Sequence, residues 1–125
     1  MHSFDRYNWG IHRAWFPVPH SFPTASQLAE MTRLVPSVAE SLRFISTPQR
    51  LLLLCQLSQG EATVGALERL TGIQQPALSQ QLGELRRRGI LSNRRESRQV
   101  FYRVVDPQIN ALVRAMYDIF CREAD

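Results

Sequence analysis

Two short helical patterns, each closed by a glycine and followed by a switch to strand periodicity, constrain this chain more than any other feature. The first runs from Thr63 with Val64, Leu67 and Leu70 at helical spacing, expected to face inward, and ends at Gly72. Glycine suits the left-handed residue that closes a helix. After Gly72-Ile73-Gln74, the pair Gln75-Pro76 opens a second helix by the cap-then-proline rule. That helix runs Ala77-Leu78-Ser79-Gln80-Gln81-Leu82-Gly83-Glu84-Leu85-Arg86-Arg87-Arg88 to Gly89, with Leu78, Leu82 and Leu85 on one face. From Ile90 the period becomes two. Ile90–Arg95 and Gln99–Val105 read as strands around a polar turn, Glu96-Ser97-Arg98. A helix-turn-helix followed by a β-hairpin predicts a mainly α fold with a small β-hairpin, the winged helix-turn-helix.

The flanking segments fit that frame. Leu28, Met31, Val35, Val38, Leu42 and Ile45 form one stripe on a first helix, with Pro36 expected to kink or restart it. Thr47-Pro48 caps a largely apolar helix, Arg50 to Leu57, expected to be central. Asp106-Pro107 caps a last helix with Ile109, Leu112, Val113, Met116, Ile119 and Phe120 on a broad apolar stripe. Residues 1–23 differ from the rest. They hold six of the eleven aromatic residues, all three histidines and Pro17, Pro19 and Pro23. They are expected to form an irregular arm, with Met31 as an alternative start, and residues 24–125 a single DNA-binding and dimerisation domain.

The chain carries a net charge of +4, and its 15 basic residues are all arginine. Seven lie between Arg86 and Arg103, opposed over residues 84–103 by Glu84 and Glu96 alone, so that stretch carries the whole excess. A charge run is commonly a solvated face. Next to a helix-turn-helix, it points to a polyanion. Gln74, Gln75, Ala77, Ser79, Gln80 and Gln81 cluster near the start of the second helix. Glutamine matches adenine, serine matches either kind of base edge, and alanine meets a thymine methyl. Arg94, Arg95 and Arg98, around the hairpin tip, suit phosphate or a minor groove. Arg86, Arg87 and Arg88 lie at a helix C-terminus and can serve the helix dipole instead.

Two cysteines, Cys55 and Cys121, are too few for a disulfide framework and make no C-x-x-C motif. No cofactor and no metal site are expected. The longest apolar run, Leu51–Cys55, is too short to cross a membrane. No basic segment followed by an apolar one opens the chain, so a secretory signal is not expected and the reducing cytoplasm is.

Gly72-Ile73-Gln74-Gln75-Pro76-Ala77-Leu78-Ser79-Gln80-Gln81-Leu82, with Leu85-Arg86, Gly89-Ile90, Arg94-Arg95 and Val100-Phe101-Tyr102, resembles the ArsR family of bacterial winged-helix repressors over about residues 36–122. The resemblance implies a homodimer built from the first and last helices, binding double-stranded DNA at an inverted repeat and released by an inducer. Relatives that sense metals use cysteines on the third helix or Asp/His/Glu sets on the last. Residues 61–71 have neither cysteine nor histidine, and the last helix has no histidine. Cys55 and Cys121 instead resemble the two-cysteine BigR/SqrR branch, which implies reactive sulfur species as inducer. The chemistry is sound: a thiolate takes a sulfane sulfur and a second thiol resolves it. A free cysteine is nonetheless commonly a small buried hydrophobe. Two other readings stay open. One is a repressor with a metal or other inducer, in which His2, His12 and His20 could bind the metal. A thiol-disulfide enzyme lacks its usual C-x-x-C and βαβ signatures.

Overall fold

The computed structural model describes residues 23–121. Five helices and three short strands follow one another in the order α1 (Ala25–Ile45), α2 (Pro48–Leu57), β1 (Ala62–Thr63), α3 (Val64–Thr71), α4 (Ala77–Arg87), β2 (Leu91–Glu96), β3 (Gln99–Val104) and α5 (Pro107–Cys121). The chain divides into two compact units between Ala39 and Glu40, inside α1.

In the first unit, α1 starts where Thr24 Oγ1 accepts from the Gln27 N–H and Gln27 Oε1 accepts from the Thr24 N–H. This is a reciprocal cap of the Ser/Thr-x-x-Glu/Gln kind. The helix continues through Pro36 as one element, where the sequence predicts a kink or a new start. Proline removes one bond, that to the Thr32 carbonyl. Thr32 is exposed, so water can take the donor's place. Leu28, Met31, Leu34, Val35 and Val38 are all exposed large apolar side chains.

In the second unit the core is made by Ile45, Leu53, Leu54, Leu57, Leu67, Ile73, Leu78, Leu82, Leu85, Ile90, Leu91, Ile109 and Val113. Every helix of this unit gives it at least one side chain. Thr47 caps α2 by accepting from the Arg50 N–H at 3.3 Å, and Asp106 caps α5 by accepting from the Gln108 and Ile109 N–H groups at 3.0 and 3.1 Å. Such caps are each worth about 1 kcal/mol. Gly72 and Gly89 have φ of +73° and +76°. At Gly89 the chain reverses through paired bonds, Gly89 N–H to Arg86 O and Ile90 N–H to Leu85 O, which close the end of α4 and start the sheet.

Four further expectations change. Leu70, expected to face inward, is 59% exposed. Successive steps of three residues rotate about 60° each around a helix, so Leu70 has turned about 120° from Val64. The first position of α4 is Ala77, with Pro76 as its N-cap residue and Gln75 outside the helix. The sheet has three strands rather than two, in the order β1-β3-β2, all antiparallel. Its hairpin turn is the two residues Ser97 and Arg98, because Glu96 pairs with Gln99. Ser97 takes a φ of +56°, the left-handed value that a two-residue turn needs.

Candidate nucleic-acid interface and cysteine pair

Leu78, Leu82 and Leu85 of α4 are 0%, 1% and 0% exposed, so burial fixes which side of the helix faces out. Gln74, Gln75, Ser79 and Gln80 are exposed, while Ala77 and Gln81 are half-buried. Gln75 Oε1 accepts from both the N–H and the hydroxyl of Ser79, at 3.1 and 2.7 Å. This bond closes the first turn of α4, which has no other side-chain cap. Gln74 and Gln80 make no side-chain hydrogen bonds among the described residues and so keep their full donor and acceptor capacity. Gln81 is held. Its Oε1 accepts from Arg50 Nε at 2.8 Å and its Nε2 donates to Gln49 Oε1 at 3.2 Å. Two open grooves flank the helix. One, of about 640 Å³, is lined by Arg50, Pro76, Ser79, Gln80, Gln81, Gly83, Glu84 and Arg87. The other, of about 540 Å³, runs from Pro48, Gln49 and Leu52 to Thr71–Gln75 and Ala77.

The hairpin separates its arginines by the strand period of two. Arg94 lies opposite Phe101, which in turn lies opposite Thr63 of β1. Its guanidinium stacks 4.3 Å from the Phe101 ring centre and reaches across the sheet to Glu61, with Nε and Nη2 on the two carboxylate oxygens at 3.0 and 2.7 Å. Its remaining nitrogen bonds Glu96. The Arg94 hydrogen bond, and then its charge and that of Arg103, hold the Glu61 carboxyl below the usual value. Arg94 is therefore already neutralised within the wing. Arg95 and Arg98 are exposed and make no ion pair among the described residues. Of the three arginines ending α4, Arg87 pairs with Glu84 at 2.8 Å and Arg88 with Glu40 at 3.4 Å, while Arg86 has no ion-pair partner among the described residues.

Arg50, Gln49, Phe44 and Glu61 do not stand out in sequence. A polar Gln49-Arg50 opening an otherwise apolar helix was the available signal for the first two. Arg50 and Arg88 each stack on Phe44, at 4.2 and 4.3 Å from its ring centre. Arg50 also donates to the Phe44 carbonyl at 2.7 Å.

Cys55 is half-buried on α2 against the core, and Cys121 is exposed as the last residue of α5. The two helices pack on each other. Burial, and then the negative charge of Cys121, push the Cys55 thiol above its ordinary value. No group of three or more His, Cys, Asp or Glu residues suited to a metal occurs among the described residues. His2, His12 and His20, with the whole irregular arm, lie outside them. Among the described residues no helix is long and apolar enough to cross a membrane.

A helix-turn-helix whose second helix turns polar side chains outward, followed by a basic hairpin, defines a winged-helix DNA-binding protein. The pattern of the bacterial regulatory proteins of the arsR family matches residues 47–93. The chain is 47% identical over 94 residues to the biofilm growth-associated repressor of Xylella fastidiosa, covering 75% of this chain and 82% of the relative. It superposes on the crystal structure of the transcriptional repressor BigR from Xylella fastidiosa with a TM-score of 0.70, over 74% of this chain and 95% of that one at 47% identity. Reduced HlyU from Vibrio cholerae matches with a TM-score of 0.68 and 32% identity, over 74% and 97%. The chain belongs to the ArsR family, and it is a DNA-binding transcriptional regulator rather than an enzyme.

Proposed function

We propose that this regulator is a homodimeric, cytoplasmic repressor that leaves its operator when sulfur links Cys55 to Cys121. The observation that carries the reading is the placement of the two thiols on α2 and α5, two helices that pack on each other. Residues 24–125 form the DNA-binding and dimerisation domain. The similarity to repressors of the same family supports the sign of the regulation.

The order of events follows from access. Cys121 is exposed, whereas Cys55 is half-buried and kept protonated. The Cys121 thiolate attacks the penultimate sulfur of a polysulfide and expels the shortened polysulfide, leaving a chain of two added sulfurs, Cys121–S–S–SH. The Cys55 thiolate then attacks the added sulfur bonded to Cys121, the bond between the two added sulfurs breaks, and the terminal one leaves as hydrosulfide with the electron pair, so that one added sulfur stays between the two cysteines. A direct disulfide needs Cα atoms about 4.4–6.8 Å apart. A retained sulfur atom lengthens the link and relaxes that limit. A pull between α2 and α5 reaches α4, because α2 also holds Gln81 through Arg50.

The test is a gel shift on a cognate inverted repeat with and without polysulfide, followed by a reductant. Release and recovery support the reading. Release by a metal or by nothing tested would leave a repressor with another inducer.

The wing makes a separate prediction. Arg95→Gln and Arg98→Gln should each weaken binding to specific and scrambled DNA alike and reduce the salt-dependence slope by about 0.9. Arg94→Gln should change the slope by less than half of that amount, because Arg94 already faces Glu61 and Glu96. Equal slope changes for all three would show that Arg94 exchanges its carboxylates for phosphate.

A further inference from the structure

We propose that Arg50 is a positioning residue of the DNA-reading surface, acting on sequence preference through Gln81. The inference deepens the DNA-binding reading above and rests on it.

A glutamine amide offers a donor end and an acceptor end of nearly the same shape, so its partners decide which end points where. A guanidinium only donates. Arg50 Nε donates to Gln81 at 2.8 Å, which forces the carbonyl oxygen of Gln81 toward α2. The NH2 group of Gln81 must then point the other way, where it donates to Gln49 Oε1 at 3.2 Å. Gln49 has its oxygen occupied in turn and is left with its NH2 group outward. One cation thus sets the polarity of two successive amides, Arg50 to Gln81 to Gln49.

Arg50 is itself immobilised. It stacks 4.2 Å from the Phe44 ring centre and donates to the Phe44 carbonyl at 2.7 Å, and Phe44 carries Arg88 as a second stacked cation. A side chain tied at three points is a rigid reference for α4. The amides that it orients are not internal. Gln81 lines the groove with Ser79 and Gln80, and Gln49 lines the groove with Gln74 and Gln75. The relay therefore runs from one groove to the other beneath the candidate base-reading residues. In the bound state, Gln81 keeps one N–H and one lone pair, and Gln49 keeps its donors, all with fixed direction. This favours acceptor-rich edges over donor edges at the bases they meet.

The test uses the full-length protein and DNA selected by the wild type from a randomised pool, with a scrambled duplex of equal length as the second probe. Arg50→Gln replaces a pure donor by a group that can present either end, and it frees the relay. It should lower the preference for selected over scrambled DNA about tenfold, leave the salt slope unchanged and broaden the selected sequence. Gln81→Ala, a change to the best helix former at a half-buried position, should lose the same preference. In the Gln81→Ala background, Arg50→Gln should remove no further preference, since Arg50 acts through that amide. Arg50→Lys, still a donor-only cation, should keep most of the preference. Arg50→Gln weakening both probes equally with a slope reduced by about 0.9 would make Arg50 a phosphate contact and overturn the proposal. So would an unchanged preference in Gln81→Ala, which needs no folded Arg50 variant to be read. A wild type that selects no sequence would instead overturn the DNA-binding reading itself.

Discussion

Cys55→Ser and Cys121→Ser proteins are each expected to bind operator DNA as the unsubstituted protein does and to stay bound when polysulfide is added. In the wild type the same treatment should weaken binding about 5- to 150-fold, the usual range of coupling between two sites. The expectation rests on needing both sulfurs. With Cys55 replaced, Cys121 can gain a persulfide, but no second thiol on α2 exists to turn it into a link between helices. With Cys121 replaced, the remaining thiol is half-buried and held protonated, so it reacts slowly. Mass spectrometry of the treated wild type should find Cys55 and Cys121 joined through one or more added sulfur atoms. The raised pKa gives a second handle. A thiol whose pKa lies above its ordinary value is neutral throughout the neutral range, and its thiolate fraction grows tenfold per pH unit until that raised value is passed. Alkylation of Cys55 should therefore still be accelerating at pH 9, and Cys121→Ser should speed it at a given pH by removing a like charge. Release of DNA from both single variants on treatment would end the two-thiol switch.

The parts of the fold legible in sequence are those decided within a few residues. Thr47 and Asp106 cap helices because their own side chains reach the next turn. Gly72 and Gly89 end helices because only glycine adopts their φ without strain. Leu78, Leu82 and Leu85 face inward because three and four residues bring a side chain back to one face. What was not legible depends on residues far apart in the chain. β1 is two residues long, carries no periodicity of its own, and exists because Ala62 and Thr63 meet Tyr102 and Phe101. The hairpin arginines look alike in sequence, and the fold separates them. Arg94 finds Glu61, 33 residues away, while Arg95 and Arg98 find no carboxylate among the described residues. Gln81 reads like its neighbours Ser79 and Gln80 until α2 is laid beside it, with Arg50 31 residues earlier in the chain. The cysteine pair is intermediate. The family resemblance singles out the two residues, and the packing of α2 on α5 supplies the physical reason for considering them together.

Carboxylates placed in the apolar stripe of α1, as in a Met31→Asp, Val35→Asp double variant, are expected to give a monomer by sedimentation at micromolar concentration, where the wild type is expected to sediment as a dimer. Met31 and Val35 are each 54% exposed and belong with Leu28 and Val38 to one face. The opposite face is polar, with Glu30 paired to Arg33 at 2.5 Å, and Ser37 on the same side. A helix that is two-faced in water presents its apolar face to something. α5 shows the same habit, leaving Leu112, Tyr117 and Phe120 exposed, the last at 79%. We assign both faces to a second copy of the chain, because a two-fold dimer buries each patch twice and sets two recognition helices about 34–36 Å apart. The substitutions should cost the monomer little, since the side chains already face solvent. They should cost the DNA complex much more. Two linked reading heads gain about 10²–10⁴ in avidity over one, and a monomer loses that factor on an inverted repeat while keeping its affinity for a half-site. Arg33→Glu, on the polar face, is the control and should leave the dimer intact. A double variant that still sediments as a dimer would move the interface away from this stripe, and a wild type that sediments as a monomer would remove it altogether.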